Sequence, residues 1–513
     1  MTEATTLVPE KSFEYKGITL AVMLATIMQA LDSTIANVAL PHMQGSLGAT
    51  QDQMTWVLTS YIVAAAITIP LVGWLAGYVG RKSVFLVSIV GFTLSSILCG
   101  MAENLVEMVI FRLLQGVFGA ALVPLSQSIL FDINKRENYG KAMALWGMGV
   151  TLGPIIGPAL GGCLTENYNW RWVFYINVPI GIVAFAGIYF LLPESPTKKH
   201  RFDFFGFISL SLGVGALQMM LDRGELKNWF DSPEIILEAM LAGLGFYLFI
   251  MHTLTFKHPF LNPALFKDRN FVTGNILIFV VGIVLFATLA LIPPMLQNQL
   301  NYPVVTAGLV IAPRGVGVMI AMFFVGKLIG RIDTRVIMGA GLLITAYSLH
   351  KMTSYSLLSD SWAIVSAGMI QGLGIGFSYV PLSIVAFSTL PVALRNEGTA
   401  FFNLMRNLGS SIGISIVTTL LMRNTQTVHA ILGENLMPYN MTANMAYAAH
   451  HIDISNTTDL AALNAALTDQ AMMVAYIDDY QFIMFITLAV VPLLFLMRAP
   501  KKEKSPDEPI VME

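Results

Sequence analysis

Asp32 sits in the run IMQALDSTIANVAL, a carboxyl group well inside an otherwise apolar, helix-length segment. At bilayer depth such a group costs roughly 2.5–3.5 kcal/mol on insertion scales, so it needs a partner, a water-lined cavity or a proton. Arg112, in RLLQGVFGA, is a second charge within an apolar segment. Counting from Ile18 at 1.5 Å per residue places Asp32 about 21 Å along the first span. Arg112 lies a turn or two below the outer end of the fourth span, at comparable depth. A protonatable acid within reach of a permanent cation is a switch: deprotonated it pairs with the guanidinium, protonated it lets go. Asp32 is therefore the expected proton-coupling group and Arg112 its support. Gln29, Ser33 and Asn37 fall on a broad arc around Asp32 at about 100° per residue. With Gln115 of the fourth span they are the candidate substrate contacts; packing between helices is the alternative.

A stripe of small residues forms the other constellation. Gly149, Gly153, Gly157 and Gly161 recur every fourth residue, leaving one face of the fifth span without side chains, so a neighbouring helix can approach closely. Pro154 and Pro158 each delete an interior hydrogen bond and should bend the segment. The stripe is expected to be the gating seam between two halves of the molecule. No phosphate-binding G-x-x-x-x-G-K-[ST], no H-E-x-x-H and no G-x-S-x-G elbow occurs, so no enzyme constellation emerges. No cofactor or metal is expected, and uphill work would draw on a proton gradient.

These residues must be positioned by lipid-embedded helices. The 513-residue chain is 55% hydrophobic and 12% charged, against about 25% charged in a soluble domain; its mean hydropathy is +0.68. Fourteen apolar blocks, centred on 18–39, 55–76, 84–102, 107–130, 142–164, 172–192, 205–221, 235–256, 271–292, 305–326, 335–350, 361–386, 399–421 and 480–497, are the expected spans. With the amino terminus inside, 21 of the 29 basic residues fall on the inner side, five outside and three within spans. That asymmetry predicts both termini in the cytoplasm. The basic residues form short anchors rather than a stripe, so nucleic acid is not an expected partner. Segment 18–39 lacks the pattern of a cleaved signal peptide. Cys99 and Cys163 fall within or at the ends of spans and read as small buried residues, not a disulfide.

The chain also repeats itself. QGVFGAALVPLS at 115–126 resembles QGLGIGFSYVPLS at 371–383, and GWLAGYVGRK at 73–82 resembles GKLIGRIDTR at 326–335. Span 4 thus matches span 12, and span 2 matches span 10. An even offset of eight implies two like-oriented six-helix bundles with an inserted helix pair between them, and a substrate path between the bundles. The resulting organisation is a cytoplasmic tail 1–17, a first bundle 18–194, an inserted pair 195–258, a second bundle 259–498 containing an outer loop 423–479, and a tail 499–513. The outer loop mixes polar residues with Leu and Ala at helical spacing and is a candidate partner contact or a plain connection. His450, His451 and Asp453 within it do not share a face suited to a metal.

Over most of its length the chain resembles the major facilitator transporters of the fourteen-span drug:proton antiporter group, most nearly the EmrB-type multidrug efflux subunits. The resemblance is carried by LDSTIANVALP at 31–41, RLLQGVFGA at 112–120, GPIIGPALGG at 153–162, RWVFYINVPIG at 171–181, LDRGELKNWF at 221–230 and AGLVIAPRGVG at 307–317. It implies an all-α major facilitator fold in the bacterial inner membrane. By resemblance Asp32 carries the proton, Arg112 supports it, and hydrophobic drugs pass between the bundles. It implies a periplasmic membrane-fusion adaptor and an outer-membrane channel as partners, besides membrane lipids. The loop GWLAGYVGRK departs from the group's pattern in having Gly77 where an aspartate is common, which removes the expected charge for the inner latch. A same-fold exporter of a specific metabolite or lipid is the first alternative, and a non-transporting membrane sensor or scaffold the second.

Overall fold

Capping groups and prolines set where the helices start, bend and stop. In the computed structural model, which describes residues 12–134, 138–195, 197, 201–257, 259–391, 394–434, 436 and 456–498, the chain is a succession of long helices. They are α1 Ser12–Leu47, α2 Gln51–Tyr78 and α3 Arg81–Met101, then α4 Leu105–Ile133, α5 Tyr139–Asn167 and α6 Trp172–Leu191. The inserted pair is α7 Phe204–Arg223 and α8 Pro233–Thr255. The second half comprises α9 Arg269–Gln299, α10 Val304–Leu328, α11 Thr334–Met352, α12 Ser361–Ser388, α13 Arg395–Glu434 and α14 Thr457–Leu496. Among the described residues, twelve of these are long and apolar enough to cross a membrane. The two others, α5 with 29 residues and α11 with 19, take up the remaining expected positions.

Asn104 caps α4, its side chain accepting from Glu107 N–H at 3.0 Å, and Asp268 does the same for α9 through Phe271 N–H at 3.0 Å. α4 breaks after Gly119 and resumes at Leu122, because Pro124 has no N–H to offer Ala120 four residues back. In α9, Pro293 and Pro294 precede a π-turn over Met295–Gln299 for the same reason.

The internal repeat is visible in which helices pack together. α1 on α5, α1 on α6, α2 on α4, α3 on α4 and α3 on α6 recur eight helices later as α9 on α13, α9 on α14, α10 on α12, α11 on α12 and α11 on α14. The halves meet through α2 on α13 and α5 on α10, a pair of contacts that the same offset exchanges. α7 and α8 pack on each other, and α7 lies against α2. Asp222 at the end of α7 accepts from the Thr59 hydroxyl of α2, and Trp229 donates to Thr419 of α13 at 3.1 Å.

The segment expected as an outer loop is largely helix. α13 has 40 residues, about 60 Å at 1.5 Å per residue, against about 30 Å of hydrocarbon. Its far end packs on the start of α14, where His429 lies 3.1 Å from Asn464. The polar, Leu- and Ala-bearing pattern of 456–479 thus continues the helix of the span instead of interrupting it. His450, His451 and Asp453 lie outside the described residues.

Candidate functional site

A stretch of α1 turns Asp32 toward α3, α4 and α6, and each of those helices contributes a polar group. Arg112 Nη1 donates to Asp32 Oδ2 at 2.7 Å. Gln115 Nε2 and Asn177 Nδ2 donate to Asp32 Oδ1 at 2.8 and 3.0 Å. Arg112 Nη1 also reaches Gln115 Oε1 at 2.7 Å, and its Nε reaches Val57 O at 3.1 Å. Ser96 accepts from Gln115 and Asn177 at 3.2 and 2.9 Å and donates its own O–H to Phe174 O at 2.9 Å. The Arg112 guanidinium lies over the Tyr61 ring, 4.3 Å from its centre. Exposure is 0% for Asp32, Ser96, Arg112, Gln115 and Asn177. A charge pair stripped of water in this way is held only by complete hydrogen bonding, and both carboxylate oxygens have it. The unsatisfied atoms are Arg112 Nη2 and Asn177 Oδ1.

The pairing of Asp32 with Arg112 expected from their depths is therefore what the fold builds. Gln115, expected as a substrate contact, is instead a ligand of the carboxylate, with no exposed surface. Gln29 donates to the Tyr61 hydroxyl at 3.0 Å, Ser33 bonds back to Ala30 O at 2.9 Å, and Asn37 is exposed; none of the three bonds to Asp32. Sequence reading missed Asn177, Ser96 and Tyr61. Asn177 carries a signal in FYINVPIG, as an amide in an apolar span; nothing local marks Ser96.

The glycine stripe lies directly behind the carboxylate. A Cβ at Gly153 would stand 2.5 Å from the Ala30 carbonyl carbon, one at Gly161 2.9 Å from Ile35 Cγ1, and one at Gly149 3.3 Å from Met23 Cε. At Gly157 a Cβ would run into the Thr34 hydroxyl, which bonds to Gly153 O at 3.3 Å. The expectation that this stripe is the seam between halves is thus corrected: it seats α5 on α1, within one half. The seam uses another face of α5, where Gly140 meets Ile329 and Gly147 meets Met322 and Val380. Position 147 lies six residues before 153, about 240° around the helix, so one face cannot serve both contacts. Pro154 and Pro158 belong to the helix, but their side chains lie outside what is described.

The halves are fastened at the ends of α4, α5, α10 and α13 that carry the basic turns. Asp132 takes Arg81 from its own half and Arg395 from the other, the latter at 3.4 Å. Ser128 donates to Asn396 at 2.6 Å and Asn403 to Gln127 at 3.2 Å. Phe131 packs on Phe387 and Trp146 on Tyr379 with ring centres 5.4 and 6.2 Å apart. Gly73 lets α2 touch the first turn of α13, where a Cβ would come 2.9 Å from Glu397 Cα. The acidic charge at this contact between the halves is Asp132 and not a residue at position 77, and a Cβ at Gly77 would meet nothing within 4 Å.

The Major Facilitator Superfamily sequence profile matches residues 22–414. The chain is 35% identical over 496 residues to the fatty acid resistance protein FarB of Neisseria gonorrhoeae, covering 96% of this chain and 98% of that protein. It is 34% identical over 487 residues to the multidrug export protein EmrB of Escherichia coli K12, covering 94% and 95%. In fold it is similar to the proton:xylose symporter XylE, with a TM-score of 0.61 at 13% identity over 94% of this chain and 96% of that one. The chain is a multi-pass membrane protein and a secondary transporter, not an enzyme, and it belongs to the Major Facilitator Superfamily.

Proposed function

We propose that the protein exports hydrophobic drugs and toxic amphiphiles across the bacterial inner membrane in exchange for protons, with both termini in the cytoplasm. The observation that carries this reading is the sealed Asp32 site: one carboxylate, one guanidinium and two amides, in the interior of a transmembrane bundle and without solvent exposure. Protonation of Asp32 removes the attraction for Arg112 and frees α1 to shift against α4. Because α1 is wedged between that network and the glycine stripe of α5, and α5 abuts α10 of the other half, a shift at the carboxylate is transmitted to the seam. The proton is the only chemical input, and no cofactor takes part.

With basic turns inside, the Asp132 cluster fastens the cytoplasmic ends of the two halves in the described conformation, and the cycle requires an outward-open state with that end closed. Substrate then leaves to the periplasm, Asp32 takes a proton, and the carrier returns. The joined ends of α13 and α14 project from that face and are the proposed seat of a membrane-fusion adaptor leading to an outer-membrane channel. The fatty acid resistance relative favours single-chain amphiphiles as a second substrate class beside drugs. Everted vesicles under an imposed pH gradient, supplied in turn with lipophilic drugs and a long-chain fatty acid, test the reading. Accumulation of neither above vesicles lacking the protein contradicts it.

A further inference from the structure

The second half holds a counterpart of the Asp32 site in which the charges have changed helices. Shifting the turn motif from Gly73 to Gly326, by 253 residues, carries Tyr61 onto Arg314; shifting Gln115 onto Gln371, by 256, carries Arg112 onto Gly368 and Asp32 onto Thr288. These residues do come together. Arg314 Nη2 donates to Thr288 Oγ1 at 2.9 Å and to Leu285 O at 3.3 Å. A Cβ on Gly368 would lie 3.7 Å from Arg314 Cβ. Where the first half has a cation on its fourth helix and an acid on its first, this half has the cation on α10 and no acid on α9.

The acid is on α14, the counterpart of the helix that supplies Asn177. Asp479 has 0% exposure, and neither of its carboxyl oxygens has a hydrogen-bond partner among the described residues. Arg314 Nη1 and both polar atoms of Gln371 are likewise buried and unpartnered. Tyr480 follows Asp479 in α14, and its charged and titratable neighbours are Asp479, Arg314 of α10, Tyr355 from the turn after α11 and Tyr476 of α14. Asp478 is the charged neighbour of Asp479, and the Tyr480 hydroxyl reaches Met295 of α9 at 3.5 Å. In the first half both carboxylate oxygens of Asp32 are hydrogen-bonded; in the second half both oxygens of Asp479 are left open among the described residues.

We propose that Asp479 is a second proton-carrying carboxylate, protonated in this conformation and paired with Arg314 in the alternate one. A bare carboxylate without donors is not tolerated in such surroundings, whereas a neutral carboxyl group is. When the second half rearranges, Asp479 gives its proton to water and the carboxylate closes on the free Arg314 Nη1. Each cycle then moves one proton on Asp32 and one on Asp479. The inference rests on the proposed efflux cycle for its transport consequence, but the protonation state can be read without transport.

Infrared spectroscopy of the purified, reconstituted protein at neutral pH tests the protonation, with Asp478→Asn as control. A carbonyl stretch of a protonated carboxyl group is expected in wild type and Asp478→Asn, and lost in Asp479→Asn. If the asparagine variant does not assemble, Asp479→Glu should displace the band instead. Proteoliposomes then give the proton-to-drug ratio, expected to fall from two to one in Asp479→Asn. The drug gradient sustained by one pH unit should fall about tenfold. An unchanged band or an unchanged ratio overturns the assignment. Absence of proton-linked transport in wild type would instead fault the efflux reading, while the band would still report on Asp479.

Discussion

Removing the charge of Asp32 should cost stability as well as transport, and the two losses can be separated. In Asp32→Asn the amide oxygen still accepts from one donor, but Arg112 is left as a cation with no exposure and no counter-charge. Breaking one side of a buried pair costs about 3–5 kcal/mol. The retained Val57 and Gln115 bonds and the Tyr61 ring place the expected loss near about 3 kcal/mol. Arg112→Gln strands the carboxylate instead and should cost a similar amount, softened by protonation of Asp32. In the double variant no buried charge remains, so its loss should be smaller than the sum of the singles by about 2–3 kcal/mol. Denaturation of the purified variants in one detergent gives the coupling. Strict additivity of the two losses would show that the pair is not held as described. Transport should stay absent in the double variant even where stability returns, since the proton carrier is gone.

Gly157→Leu should force the Thr34 hydroxyl aside, displace α1 and abolish export at a stability cost of about 1–3 kcal/mol; normal export in a variant present at normal level would refute the coupling of stripe and carboxylate. Asp132→Asn frees Arg81 and Arg395, so spin labels on the basic ends of α4 and α13 should report a wider separation, and an unchanged distance would remove the latch. Gly77→Asp enters open space and should leave expression and export close to wild type, whereas a collapse of expression would mean the turn is packed more tightly than described. Truncating the projecting ends of α13 and α14 should release the adaptor from membranes in a pull-down while vesicle uptake continues, and retained adaptor would place the contact elsewhere.

Much of this was legible in the sequence because lipid limits what a chain can do. Basic residues concentrated on alternate turns argue for the phase of the spans, and the QG and PLS repeats mark which helices correspond. Asp32 and Arg112 could be paired from depth alone, since two charges at one level in hydrocarbon have few other partners. What depth cannot give is azimuth. Gln115 stands one turn past Arg112, and whether it meets substrate or carboxylate depends on a rotation set by α3 and α6. The glycine stripe announced a close helix contact but not its partner; both α1 and α10 were available, and the backbone of Ala30–Leu31 takes it. Leu and Ala at helical spacing marked a helix in 423–479, but its polarity hid that the helices run on unbroken from the neighbouring spans. Asp132 was overlooked because it lies at the end of an apolar span beside basic turns, where an acid looks merely interfacial.

Proton-linked uptake in sealed everted vesicles, comparing wild type with Asp32→Asn at matched amounts of folded protein, bears most directly on the central claim. An imposed pH gradient should drive drug accumulation in the wild type, and drug addition should release protons from it; the variant should do neither. Gradient-driven accumulation by Asp32→Asn at the wild-type rate would contradict the assignment of the proton to this carboxylate.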